Sequence, residues 1–110
     1  MVGGGVAGNG LTVLLRRAGV TVALVEATPD GNVRGSGITL QGNALRVLRE
    51  MGLWDRIREE GFGFDSLGLT APDGTVLHVA EDIRTGGVDL PASLGIRRPV
   101  LQRILLDAVR

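Results

Sequence analysis

Apolar residues along this chain recur with two different periods. After a glycine-rich opening, Met1-Val2-Gly3-Gly4-Gly5-Val6-Ala7-Gly8-Asn9-Gly10, the residues Leu11, Leu14, Leu15 and Ala18 fall on one helical face. Arg16 and Arg17 fall on the other, so the spacing predicts an amphipathic helix with its leucine face inward. Gly19 suits the left-handed position that ends such helices. Val20-Thr21-Val22-Ala23-Leu24-Val25 is β-branched and almost continuously apolar, the pattern of a strand buried on both faces of a parallel sheet; Glu26 closes it. Residues 27–37 form a loop rich in Pro, Asp, Gly and Asn. A second helix is predicted from about Asn43, with Ala44, Leu48 and Met51 in phase and Gly52 ending it. Leu53 to Glu60 predicts a further short helix with Trp54 and Ile57 turned inward. Two alternating runs, 66–70 and 75–79, flank Pro72-Asp73-Gly74 and predict a β-hairpin. Residues 81–95 read as irregular. Pro99 opens a last helix with Val100, Leu101, Ile104, Leu105 and Ala108 in a stripe.

Composition narrows the function classes. The chain has 110 residues, room for one domain, with 12 basic and 12 acidic side chains. A net charge of zero provides no basic field to recruit nucleic acid or anionic lipid. The absence of cysteine excludes a disulfide framework, thiol chemistry and cysteine-ligated zinc, and one histidine leaves little for a metal site. No apolar run approaches the roughly 20 residues that span a bilayer. The chain is expected to be cytoplasmic, with no membrane and no nucleic acid among its partners. Glycine is the outlier: 18 of 110 residues, against a usual share of about 7%. These glycines sit among apolar segments, which argues against disorder and for places where the backbone passes close to something.

Gly3, Gly5 and Gly8 fit the G-x-G-x-x-G pattern. Alone this is a weak signal. Its context strengthens it: a helix starts at the motif, a strand follows, and Glu26 ends that strand 18 positions after Gly8, close to the expected ~20. In such a site the first glycine permits the turn, the second lets a pyrophosphate approach the backbone, and the third allows close helix packing. The phosphates lie at the helix N-terminus, so Gly3, Gly5, Val6, Ala7 and Gly8 are the expected cofactor-binding positions. Glu26 accepts hydrogen bonds from the adenosine ribose, and its charge would repel a 2′-phosphate. The motif alone leaves FAD and NAD open. The expected fold is α/β: a Rossmann-like, dinucleotide-binding βαβ start with an incomplete parallel sheet and a β-hairpin excursion. Only Met1 and Val2 precede the first glycine, where a strand is required. The expectation is therefore that residues 1–110 are the N-terminal part of a longer protein whose first strand is clipped.

Further segments carry a more specific resemblance. Arg34-Gly35-Ser36-Gly37-Ile38-Thr39-Leu40, Asn43-Ala44-Leu45-Arg46-Val47-Leu48, Met51-Gly52-Leu53-Trp54-Asp55 and Gly95-Ile96-Arg97-Arg98-Pro99-Val100-Leu101 with Leu105 follow Glu26 in order. Together they resemble the FAD-dependent aromatic hydroxylases, the para-hydroxybenzoate-hydroxylase-like flavoprotein monooxygenases. The resemblance covers nearly the whole chain and corresponds to the first quarter or third of a family member. It implies FAD as cofactor and NAD(P)H as co-substrate, with one oxygen atom of O2 transferred to an electron-rich, aromatic or related small molecule. It also implies that Glu26 binds the FAD ribose, that Ser36 and Gly37 pass near the flavin end, and that Arg98 contacts the ribityl-pyrophosphate region. A permanently charged guanidinium suits that last role. Arg97 lacks the spacing to Leu101 that Arg98 has. The resemblance implies that the hairpin at 66–80 extends toward a substrate domain. Another FAD-dependent oxidoreductase of the same fold (reductase, halogenase or dehydrogenase), or a non-catalytic dinucleotide-binding remnant, is the alternative.

The pattern departs from the family at Asn9 and Gly10, which replace apolar helix formers. Other polar residues read as structural. His78 sits on a hairpin strand without catalytic partners, and Trp54 reads as a core anchor. Gln41 reads equally as a helix-entry residue and as a cofactor contact, and Arg34 as a loop arginine. Asp55, Arg56, Arg58, Glu59 and Glu60 read as a solvated helix face, and Asp82 and Asp89 as loop carboxylates.

Overall fold

The computed structural model describes residues 1–28 and 35–110. Arg34 and most of the loop before it lie outside the described residues. The elements run α1 (Val6–Arg17), β1 (Gly37–Gln41), α2 (Gly42–Glu50), α3 (Trp54–Glu60), β2 (Phe62–Phe64), β3 (Ser66–Thr70), β4 (Val76–Glu81), β5 (Ser93–Arg97) and α4 (Arg98–Val109). The architecture is α/β and Rossmann-like at its start. Met1–Gly3 run parallel to Ala23–Val25, joined by one bridge between Val2 and Val25. The bonds are Gly3 N–H to Val25 O at 2.8 Å and Val25 N–H to Met1 O at 3.0 Å. Parallel pairing among the described residues is confined to this bridge.

The two sheets are antiparallel. One has the order β1-β5-β2, and the other is the β3-β4 hairpin. Pairing of β1 with β5 sets Gly37 opposite Arg97 and Gln41 opposite Ser93. Residues 81–95, expected to be irregular, thus contribute the start of the central strand. Ser93, Leu94 and Ile96 of that strand are buried. Its residues pair with partners far along the chain, and no hairpin turn marks it.

The core gathers Leu45, Leu48, Met51, Leu53, Ile57, Leu90, Leu94, Ile96 and the α4 stripe Val100, Leu101, Ile104 and Leu105. Trp54 packs partly buried against it. The leucine zone is where sequence periodicity places it in α2, α3 and α4. In α1 it is not. Leu11 and Leu14 are exposed, and the buried residues are Asn9, Thr12 and Val13. The reason is geometric: α1 packs on α4 with the face opposite its leucines. The polar residues on that face are accommodated by backbone carbonyls, Thr12 Oγ1 donating to Gly8 O at 2.8 Å and the Asn9 amide to Gly4 O. The segment 20–25, expected to be buried on both faces, has Val20 and Val25 exposed. Val22 and Leu24 are half-buried between exposed Thr21, Ala23 and Val25, so only one face is partly covered, where Leu24 approaches α1 at Gly8.

Chain termination of α1 follows expectation. Gly19 has φ +79°, and Gly19 N–H and Val20 N–H bond back to Arg16 O and Leu15 O at 3.0 and 2.9 Å. The segment linking β4 to β5 is fastened by Asp65. Its carboxylate accepts from Arg84 at 2.7 and 3.0 Å and from Ala92 N–H at 2.9 Å. The helix-face charges expected to be merely solvated reach across to α4: Arg56 pairs with Asp107 at 2.7 Å and Glu60 with Arg103 at 3.2 Å. Such exposed pairs contribute about 0–1 kcal/mol each. No helix among the described residues is long and apolar enough to cross a membrane.

Candidate dinucleotide site

The glycine turn is built as the motif requires. Gly3 has φ +100°, a conformation in which a Cβ is strained. Gly5 is the N-cap of α1, and a Cβ placed there would meet no atom within 4 Å. The first backbone bond into the helix runs from Asn9 N–H to Gly5 O at 3.0 Å. The N–H groups of Val6, Ala7 and Gly8 therefore precede it and have no intrahelical acceptor. They mark the positive end of the helix dipole.

Gly8 is the tightest point. A Cβ there would lie 1.8 Å from Gly3 O and 3.7 Å from Leu24 Cδ1. The expected close approach is thus found, but chiefly against the turn itself rather than against the following strand. Any side chain at this position must push the helix away from the turn.

Glu26 stands beside the same turn. Its Oε2 accepts from Gly4 N–H at 2.6 Å and its Oε1 from Thr28 N–H at 2.8 Å. These bonds, that of Thr28 foremost and then that of Gly4, hold its carboxyl below the usual glutamate range. Glu26 is therefore an anion next to the helix N-terminus. Among the described residues each of its oxygens has one backbone donor, which leaves a lone pair for a further one.

The second group of expected residues assembles around the start of α4. Arg98 N–H bonds Ser36 O at 3.3 Å. Gly35 lies against the Arg98 side chain, since a Cβ there would sit 3.3 Å from Arg98 Cδ. Gly37 pairs with Arg97 in the sheet. Ser36, Gly37 and Arg98, distant in sequence, therefore share one exposed corner. Arg98 is exposed and forms no ion pair among the described residues. Gln41 is the N-cap residue of α2 without a side-chain cap bond, as a helix-entry residue. His78 is exposed on β4.

One functional candidate escaped the sequence. Gln102, on the buried face of α4, sends its Nε2 to Gly4 O. Its signal was a polar residue inside the apolar stripe, one turn after Arg98.

A model of the FAD binding domain family matches residues 1–99. The chain belongs to that family. It is 43% identical over 61 residues to the FAD-dependent monooxygenase pynG of Aspergillus niger, covering 56% of this chain and 14% of pynG. It is 33% identical over 107 residues to YetM of Bacillus subtilis, covering 96% of this chain and 28% of YetM. Among solved structures, the tetrameric form of 2-methyl-3-hydroxypyridine-5-carboxylic acid oxygenase superposes with a TM-score of 0.81 at 26% identity. That superposition covers 99% of this chain and 28% of the oxygenase. The chain thus spans less than a third of the length of the relatives it matches. FAD is the cofactor to which this family's fold is matched, and the turn fits it: space over Gly5, a Cβ-intolerant Gly8 and an ionised Glu26 at the turn.

Proposed function

We propose that residues 1–110 are the N-terminal, FAD-seating part of a flavoprotein monooxygenase of the para-hydroxybenzoate-hydroxylase-like group. The single observation that carries this reading is the convergence of Gly3, Gly8 and Glu26 on one turn. In this reading the N–H groups of Gly5, Val6, Ala7 and Gly8 hold the pyrophosphate and Glu26 holds the adenosine ribose. Ser36, Gly37 and Arg98 line the path toward the ribityl and flavin end. FAD, when bound, supplies the redox chemistry that takes electrons from NAD(P)H and passes one oxygen atom of O2 to an electron-rich small molecule. The chain's own groups bind and orient the cofactor. The exposed apolar hairpin of Leu67, Leu69, Leu77 and Val79 extends toward the substrate domain. The cytoplasmic setting expected from the sequence belongs to the same reading.

The test is flavin content and oxygen incorporation. The purified full-length protein is expected to retain FAD, seen as visible flavin absorbance. With NAD(P)H and isotopically labelled dioxygen it is expected to place label in an aromatic substrate, whereas residues 1–110 alone are not expected to turn over. Protein that binds no FAD overturns the reading. FAD-bound protein that consumes NAD(P)H without label in any product assigns it to a reductase or dehydrogenase instead.

A further inference from the structure

We propose that Asn9 and Gln102 are positioning residues that set the orientation of the Gly4–Gly5 peptide and so aim the Gly5 N–H at the pyrophosphate. The inference rests on the FAD reading above and adds two residues to it, one on α1 and one on α4.

Both side chains are buried, at 0% and 2% exposure, in the seam between α1 and α4. Both donate an amide N–H to the same acceptor, Gly4 O. A carbonyl oxygen has two lone pairs, so two donors saturate it. At the other end of the residue, Gly4 N–H is held by Glu26 Oε2 at 2.6 Å. Gly4 is therefore fixed at both of its polar groups by side chains from three separate segments.

The consequence follows from peptide geometry. No peptide bond among the described residues is cis. In a trans peptide the C=O of one residue and the N–H of the next point in opposite directions. Holding Gly4 O in the α1–α4 seam turns the Gly5 N–H away from it. Gly5 is exposed, with open space around its Cα. A peptide between two glycines has little steric preference to hold it this way. The amides provide the restraint.

The burial pattern argues against mere packing. Asn9 Oδ1 and Gln102 Oε1 are buried without a hydrogen-bond partner among the described residues. Leaving amide oxygens buried and unpaired is destabilising. Leucine and methionine match these side chains in size and would fill the seam without that penalty. The polar choice is explained by the carbonyl it holds.

The experiment compares the protein with its Asn9→Leu and Gln102→Met variants, both near in volume to the residues they replace. FAD, ADP and adenosine affinities are measured by titration, alongside the melting temperature of the cofactor-free protein. The expected result is FAD and ADP affinity reduced roughly three- to tenfold in each variant. Adenosine affinity, which depends on Glu26 and not on the pyrophosphate, stays unchanged, so the ADP-to-adenosine ratio falls. Melting of the cofactor-free variants is expected at or above the parent temperature. Folded variants with an unchanged ADP-to-adenosine ratio overturn the proposal. Loss of the cofactor-free fold in both variants also overturns it, because the amides are then structural. A parent protein that binds neither FAD nor ADP overturns the FAD reading itself, and this inference with it.

Discussion

At the scale of single residues, the site depends on a few contacts that cannot be exchanged for others. Gly8 is the clearest. Its missing Cβ is replaced by the Gly3 carbonyl, 1.8 Å from where that atom would stand. Gly8→Val is expected to abolish FAD retention and to destabilise the fold by on the order of 3 kcal/mol, measured by flavin content and urea unfolding. In the proposed reading Arg98 acts through charge. Arg98→Ala is expected to weaken FAD binding roughly tenfold or more with little change in melting temperature, read by titration of cofactor-free protein. In the proposed reading Glu26 makes the affinity pH-dependent in a defined direction. Backbone N–H groups hold its pKa below the ordinary 4.5, so the anion persists well below neutrality. FAD affinity is expected to be insensitive to this group from neutral pH down to that range. It then weakens as pH falls through the lowered value, and Glu26→Gln removes the dependence. The acid and the third glycine were both legible from spacing alone. Gln102 was not, because a lone glutamine in an apolar stripe has no partner visible in sequence.

At the scale of elements, legibility followed locality. The helices α2, α3 and α4 and the β3-β4 hairpin are set by neighbours a few residues away; the apolar phases of the helices match the observed core, while the apolar residues of the hairpin stay exposed. The central strand β5 is set by partners more than fifty positions distant in β1, and it is interrupted by Gly95. Nothing within its own five residues specifies it. The reversed face of α1 has a different origin. Periodicity identifies an apolar stripe but not which face the neighbouring helix takes, and here Asn9 and Thr12 find acceptors that let the polar face be buried. The segment before β5 offers an elementary test. Arg84 first, and then Ala92 N–H, hold Asp65 below its ordinary pKa of 3.8. A depressed folded value means that the stabilisation is complete above the unfolded pKa and is lost as pH falls through the folded one. The Ala92 amide is therefore expected to be protected from hydrogen exchange at neutral pH. Protection falls as pH drops through that lowered value and falls at all pH values in Asp65→Asn.

At the scale of the whole molecule, the apolar surface is unevenly distributed. Leu67, Leu69, Leu77 and Val79 on the hairpin, and Leu11 and Leu14 on α1, are exposed while the core under α4 is closed. Exposed apolar groups in clusters mark surfaces that meet another part of a protein or a ligand. In the proposed monooxygenase the hairpin surface faces the substrate domain, and the glycine turn lies on the α1–α4 side. The pair Leu67→Asp and Leu69→Asp, which share one face of the hairpin, is accordingly expected to raise the substrate KM several-fold while leaving FAD content at the parent level. Equal loss of FAD and substrate affinity would contradict that separation.

Helix α4 carries the central leucine layer along one side, Arg98 at its beginning and Gln102 one turn later. In the proposed reading, the arginine that meets the cofactor, the glutamine that holds the glycine turn and the leucines that keep the interior closed are therefore bolted to the same rod. Fluorescence of liberated flavin should accordingly climb at the very temperature where the interior melts, without an earlier phase. The bound chromophore becomes a built-in thermometer for screening variants, with no added dye.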